Sequence, residues 1–121
     1  MNNYFYDTYA LVEIIFASPD YEEFKLNAGA ITTRYNLLEL HYILLKYFEE
    51  KVADDYYDKI LQYVVEIGDD EIKAASKFRK VNSKKKLSYV DCIGYILAQK
   101  YGFQFLTGDK EFEKMPNVKF V

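Results

Sequence analysis

Short aromatic or β-branched runs alternate along this chain with longer stretches whose apolar residues repeat at helical spacing, and that alternation restricts the fold more than any other feature. A strand of four or five residues cannot stand alone, and a helix between two strands returns the chain for a parallel pairing. The first run, Asn3 to Tyr6, ends at Asp7 and is followed by Ala10, Leu11, Ile14 and Ile15 on one helical face. Ser18-Pro19-Asp20 breaks and restarts the chain, residues 20–28 read as helix, and Gly29 suits a helix end. Ala30 to Thr33 is a second short run, and from Asn36 to Phe48 apolar residues at 37, 40, 44, 47 and 48 predict an amphipathic helix. Asp54 to Gln62 reads as helix, Tyr63 to Ile67 as a brief strand stopped by Gly68, and 69–80 as helix. After a polar loop, Asn82 to Lys86, comes a helix from Ser88 to Tyr101 ended by Gly102, then strands at Phe103 to Leu106 and Val118 to Val121. The expected fold is α/β, a central, mostly parallel sheet of four to five short strands flanked by helices.

The chain has 121 residues and no Pro-, Gly- or Ser-rich linker, which predicts one domain over 1–121. Half of its residues are apolar, enough for a substantial core and too many for a disordered chain. The net charge of −3 gives no overall attraction to nucleic acid, so any such contact must be local. Cys92 is the lone cysteine, which excludes an intrachain disulfide and a Cys-rich zinc site and suits a reducing compartment. No apolar run approaches the ~20 residues needed to span a bilayer, and no basic-then-apolar leader opens the chain, so the expectation is a cytoplasmic protein without membrane contact.

Certain acids fall at meaningful places in this pattern. Asp7 closes the first strand, and Asp109 follows the Phe103 to Leu106 strand by a two-residue turn. Ligands of parallel sheets bind beyond the carboxyl ends of the strands, where both acids point. Glu39, in the first turn of the helix after the 30–33 run, joins them by the same logic; Asp91, in the first turn of the helix from Ser88, follows a loop and is not placed by it. Several carboxylates gathered together repel and titrate upward unless cations neutralise them, and an oxygen-only site suits Mg²⁺ or Mn²⁺. Each acid also has a purely structural reading. Asn36 to Glu39 and Ser88 to Asp91 match a capping pattern, and Asp7 and Asp109 are suitable N-caps.

The same residues resemble a family. Tyr4-Phe5-Tyr6-Asp7-Thr8, with Ala10-Leu11 behind it, resembles the first strand and first acid of PIN-domain nucleases. Thr32 to Leu40 resembles their second motif, which supplies Glu39, and Leu87-Ser88-Tyr89-Val90-Asp91-Cys92 with Ala98 and Tyr101-Gly102 resembles the third. Leu106-Thr107-Gly108-Asp109-Lys110-Glu111-Phe112 closely resembles the fourth, and the order and spacing hold from about Asn3 to Val121. Tyr9 departs from the pattern, standing where relatives often carry a smaller residue, and residues 51–80 match only in being helical.

This resemblance implies a Mg²⁺- or Mn²⁺-dependent endoribonuclease in which Asp7, Glu39, Asp91 and Asp109 hold one or two ions. Asp7 and Asp91 would be direct ligands; Glu39 and Asp109 would complete the shell or orient bound water, with Thr8, Ser88 and Thr107 in support. Thr107 either bonds a carboxylate or phosphate or only shapes its turn. Arg79, Lys80, Lys84, Lys85 and Lys86 form a basic tract leading into the Asp91 helix, read either as a solvated loop or as a track for RNA phosphates. His41, two residues past Glu39, is read as a surface or packed histidine, and Cys92 as an inert packed thiol. The small size resembles the VapC-type toxins, which implies an antitoxin protein partner and a homodimer. Helices over 8–16, 20–28 and 35–50 carry Tyr and Leu residues that serve an interface or a core equally well. The rival expectations are an RNA-maturation nuclease without antitoxin, a noncatalytic PIN-like module that binds RNA or protein, and a phosphotransfer domain, which lacks its paired acids here.

Overall fold

The computed structural model describes residues 3–121. Strands β1 (Tyr4–Tyr6), β2 (Gln104–Thr107) and β3 (Val118–Phe120) form a parallel sheet in the order β1-β2-β3, with Phe5 opposite Phe105 and Phe105 opposite Val118. Two further segments extend it on the far side of β1 through single parallel bridges, Phe5 to Ile31 and Thr32 to Val64. Their backbone bonds are complete at those points: Tyr6 N–H donates to Ile31 O (2.9 Å) and Thr32 N–H to Tyr63 O (3.0 Å). The sheet is therefore parallel throughout, as expected, but the runs at 30–33 and 63–67 contribute one bridge each. Thr33 leaves the sheet at once because its hydroxyl accepts from Asn36 N–H and caps the next helix.

The helices are α1 (Thr8–Ile15), α2 (Arg34–Tyr47), α3 (Glu50–Ile60), α4 (Asp69–Val81) and α5 (Tyr89–Tyr101). Alternation along the strands assigns them to two layers. Tyr6 and Leu106 face one side with Leu11 of α1, Leu37, Leu40 and Leu44 of α2, and Ala53 and Ile60 of α3. Phe5 and Phe105 face the other with Ala75 of α4, Cys92, Tyr95 and Ala98 of α5, and Phe112. Among the described residues no helix is long and apolar enough to cross a membrane.

Three expected elements differ. The segment predicted helical over 20–28 is a 3-10 turn, Pro19–Phe24, whose threefold period puts Tyr21 and Phe24 together in the core. It stops there because Asn27 Oδ1 accepts from Gly29 N–H (2.8 Å) and folds the backbone into a local turn, so Gly29 ends no helix. Helix α2 begins at Arg34, two residues before Asn36, which places Glu39 in its second turn, not its first. Asn36 resembles a cap in sequence, yet it is buried and its amide is spent inside. Helix α3 starts at Glu50, earlier than Asp54.

One close approach positions the next element. A Cβ on Gly94 would lie 2.7 Å from Phe5 Cε1 and 3.1 Å from Phe105 Cε1, so the missing side chain lets α5 settle directly on β1 and β2. These two rings are fully buried and stacked 5.7 Å apart. Gly94→Ala should lower the stability by about 1 to 2 kcal/mol, overpacking outweighing the gain in helix propensity. Urea unfolding measures it; an unchanged or higher midpoint would show that the rings yield.

Candidate active site

Because every strand runs the same way, the carboxyl ends of β1, β2 and the 31–32 segment open on one edge. Asp7 directly follows β1, and its Oδ1 accepts from Ala10 N–H (2.8 Å), capping α1 without an intervening loop. Asp109 lies two residues beyond β2; Thr107 Oγ1 accepts its N–H (3.0 Å) while its own Oδ1 accepts from Glu111 N–H (3.0 Å). Asp91 sits in the first turn of α5, where it accepts from Ser88 N–H (2.9 Å) and Ser88 Oγ accepts from Asp91 N–H (3.0 Å). The capping reading thus holds for all three aspartates. It does not exclude another role, since a carboxylate has about four lone-pair sites and each cap uses one oxygen.

Asp7, Asp91 and Asp109 line one cavity of about 320 Å³ together with Thr8, Tyr9, Val12, Glu13 and Ile43. Glu39 lies one turn before Ile43 and is held by a directional relay. Thr33 hydroxyl donates to Asn36 Oδ1 (2.6 Å), Asn36 Nδ2 donates to Thr8 Oγ1 (3.1 Å), and Thr8 donates to Glu39 Oε1 (2.6 Å). In the sequence Asn36 reads as a helix cap, not as a member of this relay. Its only signal was a polar residue inside the apolar stripe of α2.

The electrostatics join the four acids. Burial pushes the Asp7 carboxyl up to about 7, against the lowering effect of hydrogen bonds from Thr107 hydroxyl and Ala10 N–H, and Asp91 and Asp109 raise it further. Burial also raises Asp91; its bonds with Ser88 oppose the shift, and the charges of Asp109 and Glu39 add to it. Thr107 shapes its own turn, and its hydroxyl lowers the Asp7 carboxyl.

Oxygen donors that repel one another are suited to a hard divalent cation, which would displace the proton Asp7 otherwise keeps. As the side chains stand, no three His, Cys, Asp or Glu among the described residues close around a single point. Mg²⁺ commonly binds through one or two carboxylates and retains several waters, so wider spacing suits it.

The basic tract divides. Arg79, Lys80 and Lys85 line a cavity of about 280 Å³ with Ser76, Ser83 and Tyr89, whereas Lys84 and Lys86 lie exposed outside it. Arg79 stacks 4.2 Å over the Tyr89 ring and its Nε donates to Leu87 O (3.1 Å), so the guanidinium is fixed at the start of α5, two residues before Asp91. His41 lies outside the acidic cavity, paired with Asp54 Oδ1 (2.7 Å). Cys92 is buried and its thiol is raised to about 11, chiefly by burial, which fits an inert packed residue. On α2 the structure separates core from surface: Leu37, Leu40 and Leu44 are buried, while Tyr35, Leu38, Tyr42 and Leu45 are exposed.

A family model described as PIN domain matches residues 4–118. No curated protein matches the chain in sequence. Among solved structures, a toxin–antitoxin complex from Klebsiella pneumoniae is 18% identical, covering 97% of this chain and 96% of that one with a TM-score of 0.76. VapBC2 from Rickettsia felis, bound to a DNA fragment from its promoter, is 20% identical over 98% and 96% with a TM-score of 0.71. A protein from Pyrobaculum aerophilum is 16% identical over 99% and 91% with a TM-score of 0.72.

The Asp7 shift has a sign that can be tested without metal. Unfolded, this carboxyl titrates near its ordinary value of 3.8; folded, it holds its proton to about 7. Between those values the folded chain binds a proton the unfolded chain has lost, so stability falls as pH rises through the window. Asparagine keeps the cap without the charge. In EDTA at pH 8, Asp7→Asn should therefore raise stability by roughly 2 to 4 kcal/mol, and the gain should fade toward pH 4. Thermal melts across this range measure it, and a variant less stable than the parent at pH 8 would contradict the assignment.

Proposed function

We propose that this chain, which belongs to the PIN-domain family, is a divalent-metal-dependent endoribonuclease acting as the toxin of a toxin–antitoxin pair, with residues 1–121 working as one nuclease domain. The observation that carries the reading is the gathering of Asp7, Asp91 and Asp109 in one cavity at the carboxyl edge of a parallel sheet, with Glu39 near enough to raise Asp91. PIN domains are generally nucleases, and two of the structurally similar proteins are toxin–antitoxin complexes, which supports the pairing with an antitoxin.

In this reading Asp7 and Asp91 hold Mg²⁺ or Mn²⁺ directly, while Glu39 and Asp109 complete the shell or orient water. A cation held there would supply a water of lowered pKa and offset charge on the phosphate. The chain's own part is positioning. The cap bonds of Asp7, Asp91 and Asp109 fix each carboxylate against its helix or turn before any ligand arrives, and the Thr33–Asn36–Thr8 relay does the same for Glu39. Thr107 ties the turn of Asp109 to the carboxyl of Asp7, and Ser88 completes the α5 cap. Arg79, Lys80 and Lys85 supply phosphate contacts at the start of α5, where a strand entering the acidic cavity would pass; Lys84 and Lys86 add only diffuse attraction. The exposed Tyr35, Leu38, Tyr42 and Leu45 of α2 offer surface for an antitoxin or a second copy of the chain.

A second reading, a noncatalytic PIN-like module that binds RNA or protein, draws on the open spacing of the carboxylates. One experiment separates the two. Purified protein is incubated with mixed RNA in Mn²⁺, in EDTA, and as Asp91→Asn, and Mn²⁺ binding is followed by calorimetry. Cleavage should require the metal and fall by about a hundredfold or more in the variant. No cleavage together with no Mn²⁺ binding would favour the noncatalytic module.

A further inference from the structure

Carboxylates gathered at one mouth repel the phosphates of an approaching strand, and a cation offsets that only locally. Contacts that do not depend on charge would add to those of Arg79, Lys80 and Lys85 in seating a strand at this mouth. The large uncharged side chains lining the cavity are Tyr9, Val12 and Ile43, and of these Tyr9 is the exposed one, at 44%.

The Tyr9 ring is propped in place. A Cβ on Gly108 would fall 2.2 Å from Tyr9 Cε1 and 2.7 Å from Cζ, so the ring occupies the space a side chain at 108 would take. Tyr21, itself buried, flanks it with ring centroids 6.4 Å apart and planes tilted by 41°. Gly108 separates Thr107 from Asp109, and Tyr9 follows Asp7 and Thr8 directly, so the ring is mounted on the two turns that carry the acids. An aromatic ring fixed beside a reactive pocket, with part of its surface open, matches the way proteins hold unpaired bases.

We propose that Tyr9 is a stacking platform for one unpaired nucleobase of the RNA substrate, a positioning residue that seats the strand against the acidic cavity. The inference rests on the ribonuclease reading. Stacking accepts any base, so the residue contributes placement and not sequence choice. It also gives the larger residue at position 9, a departure from the family pattern, a physical use.

Fluorescent single-stranded RNA, intact or with an abasic residue walked through the positions flanking the cut, is titrated onto the Asp91→Asn protein with and without Tyr9→Ala or Tyr9→Phe. The same strands are then cleaved in Mn²⁺ by chains that retain Asp91. Tyr9→Ala should weaken binding and raise KM by about tenfold while kcat stays within about twofold. Tyr9→Phe should behave like the parent, and at one abasic position the penalty of Tyr9→Ala should vanish. A penalty that persists at every abasic position, or a Tyr9→Phe variant as impaired as Tyr9→Ala, overturns the proposal. So does unchanged RNA binding accompanied by loss of a protein partner, which would place Tyr9 in a protein interface. If the parent cuts no RNA the ribonuclease reading fails by itself, and the binding arm still decides whether Tyr9 stacks a base.

Discussion

Parallel pairing of β1 on both its sides is the constraint on which the rest depends. With Ile31–Thr32 on one side and β2 on the other, β1 is the inner strand, and its two faces must both be covered. Phe5 takes the layer of α4 and α5, Tyr6 the layer of α1, α2 and α3. The residue after such a strand has nowhere to go but the covered edge of the sheet. Asp7 is that residue, which is why a carboxylate at a strand end becomes 4% exposed. Its burial follows from topology, and the upward pKa shift follows from its burial.

The three aspartates show how structural and chemical duties combine in one side chain. Asp7 and Asp109 are N-caps and Asp91 closes the capping box of Ser88, and each such bond also fixes the rotamer of a carboxylate facing the same cavity. A charge cluster held by such bonds cannot relieve its repulsion by swinging outward. Burial is the chief cause of the proton retained on Asp7, and the charges of Asp91 and Asp109 add to it. The capping reading is met by this geometry, and each carboxylate keeps lone pairs that the cap does not use.

Much of this was legible in the chain and some was not, for identifiable reasons. The five sheet segments are legible as short aromatic or β-branched runs and α1 by its apolar face, while α2, α4 and α5 follow from amphipathic spacing over ten or more residues, which reports directly on which face is covered. Ser88 with Asp91 and Gly102, at φ 73°, mark the ends of α5 as their chemistry requires. The 3-10 turn over Pro19–Phe24 was misread because Tyr21 and Phe24 satisfy a helical and a threefold spacing alike. Asn36 was misread because a polar residue ahead of an apolar stripe looks like a cap, and only the fold reveals Thr8 across from its amide. The convergence of Asp91 with Asp7 required the approach of α5 to the sheet at Gly94, a contact between residues 89 positions apart that no local pattern carries.

The distribution of charge is the last step. A chain with a net charge of −3 gains nothing from long-range attraction to a polyanion, and its acidic cavity adds local repulsion. What opposes this is arranged around the first turn of α5. Arg79, stiffened by Tyr89 and Leu87, stands with Lys80 and Lys85 at a cavity on one side, and Asp91 opens to the acidic cavity on the other. Of these cations Arg79 is held in place, and surface charges act within a few ångströms and are screened beyond about 10 Å at moderate salt. In the ribonuclease reading proposed above, such an arrangement would favour a strand already seated over one merely near.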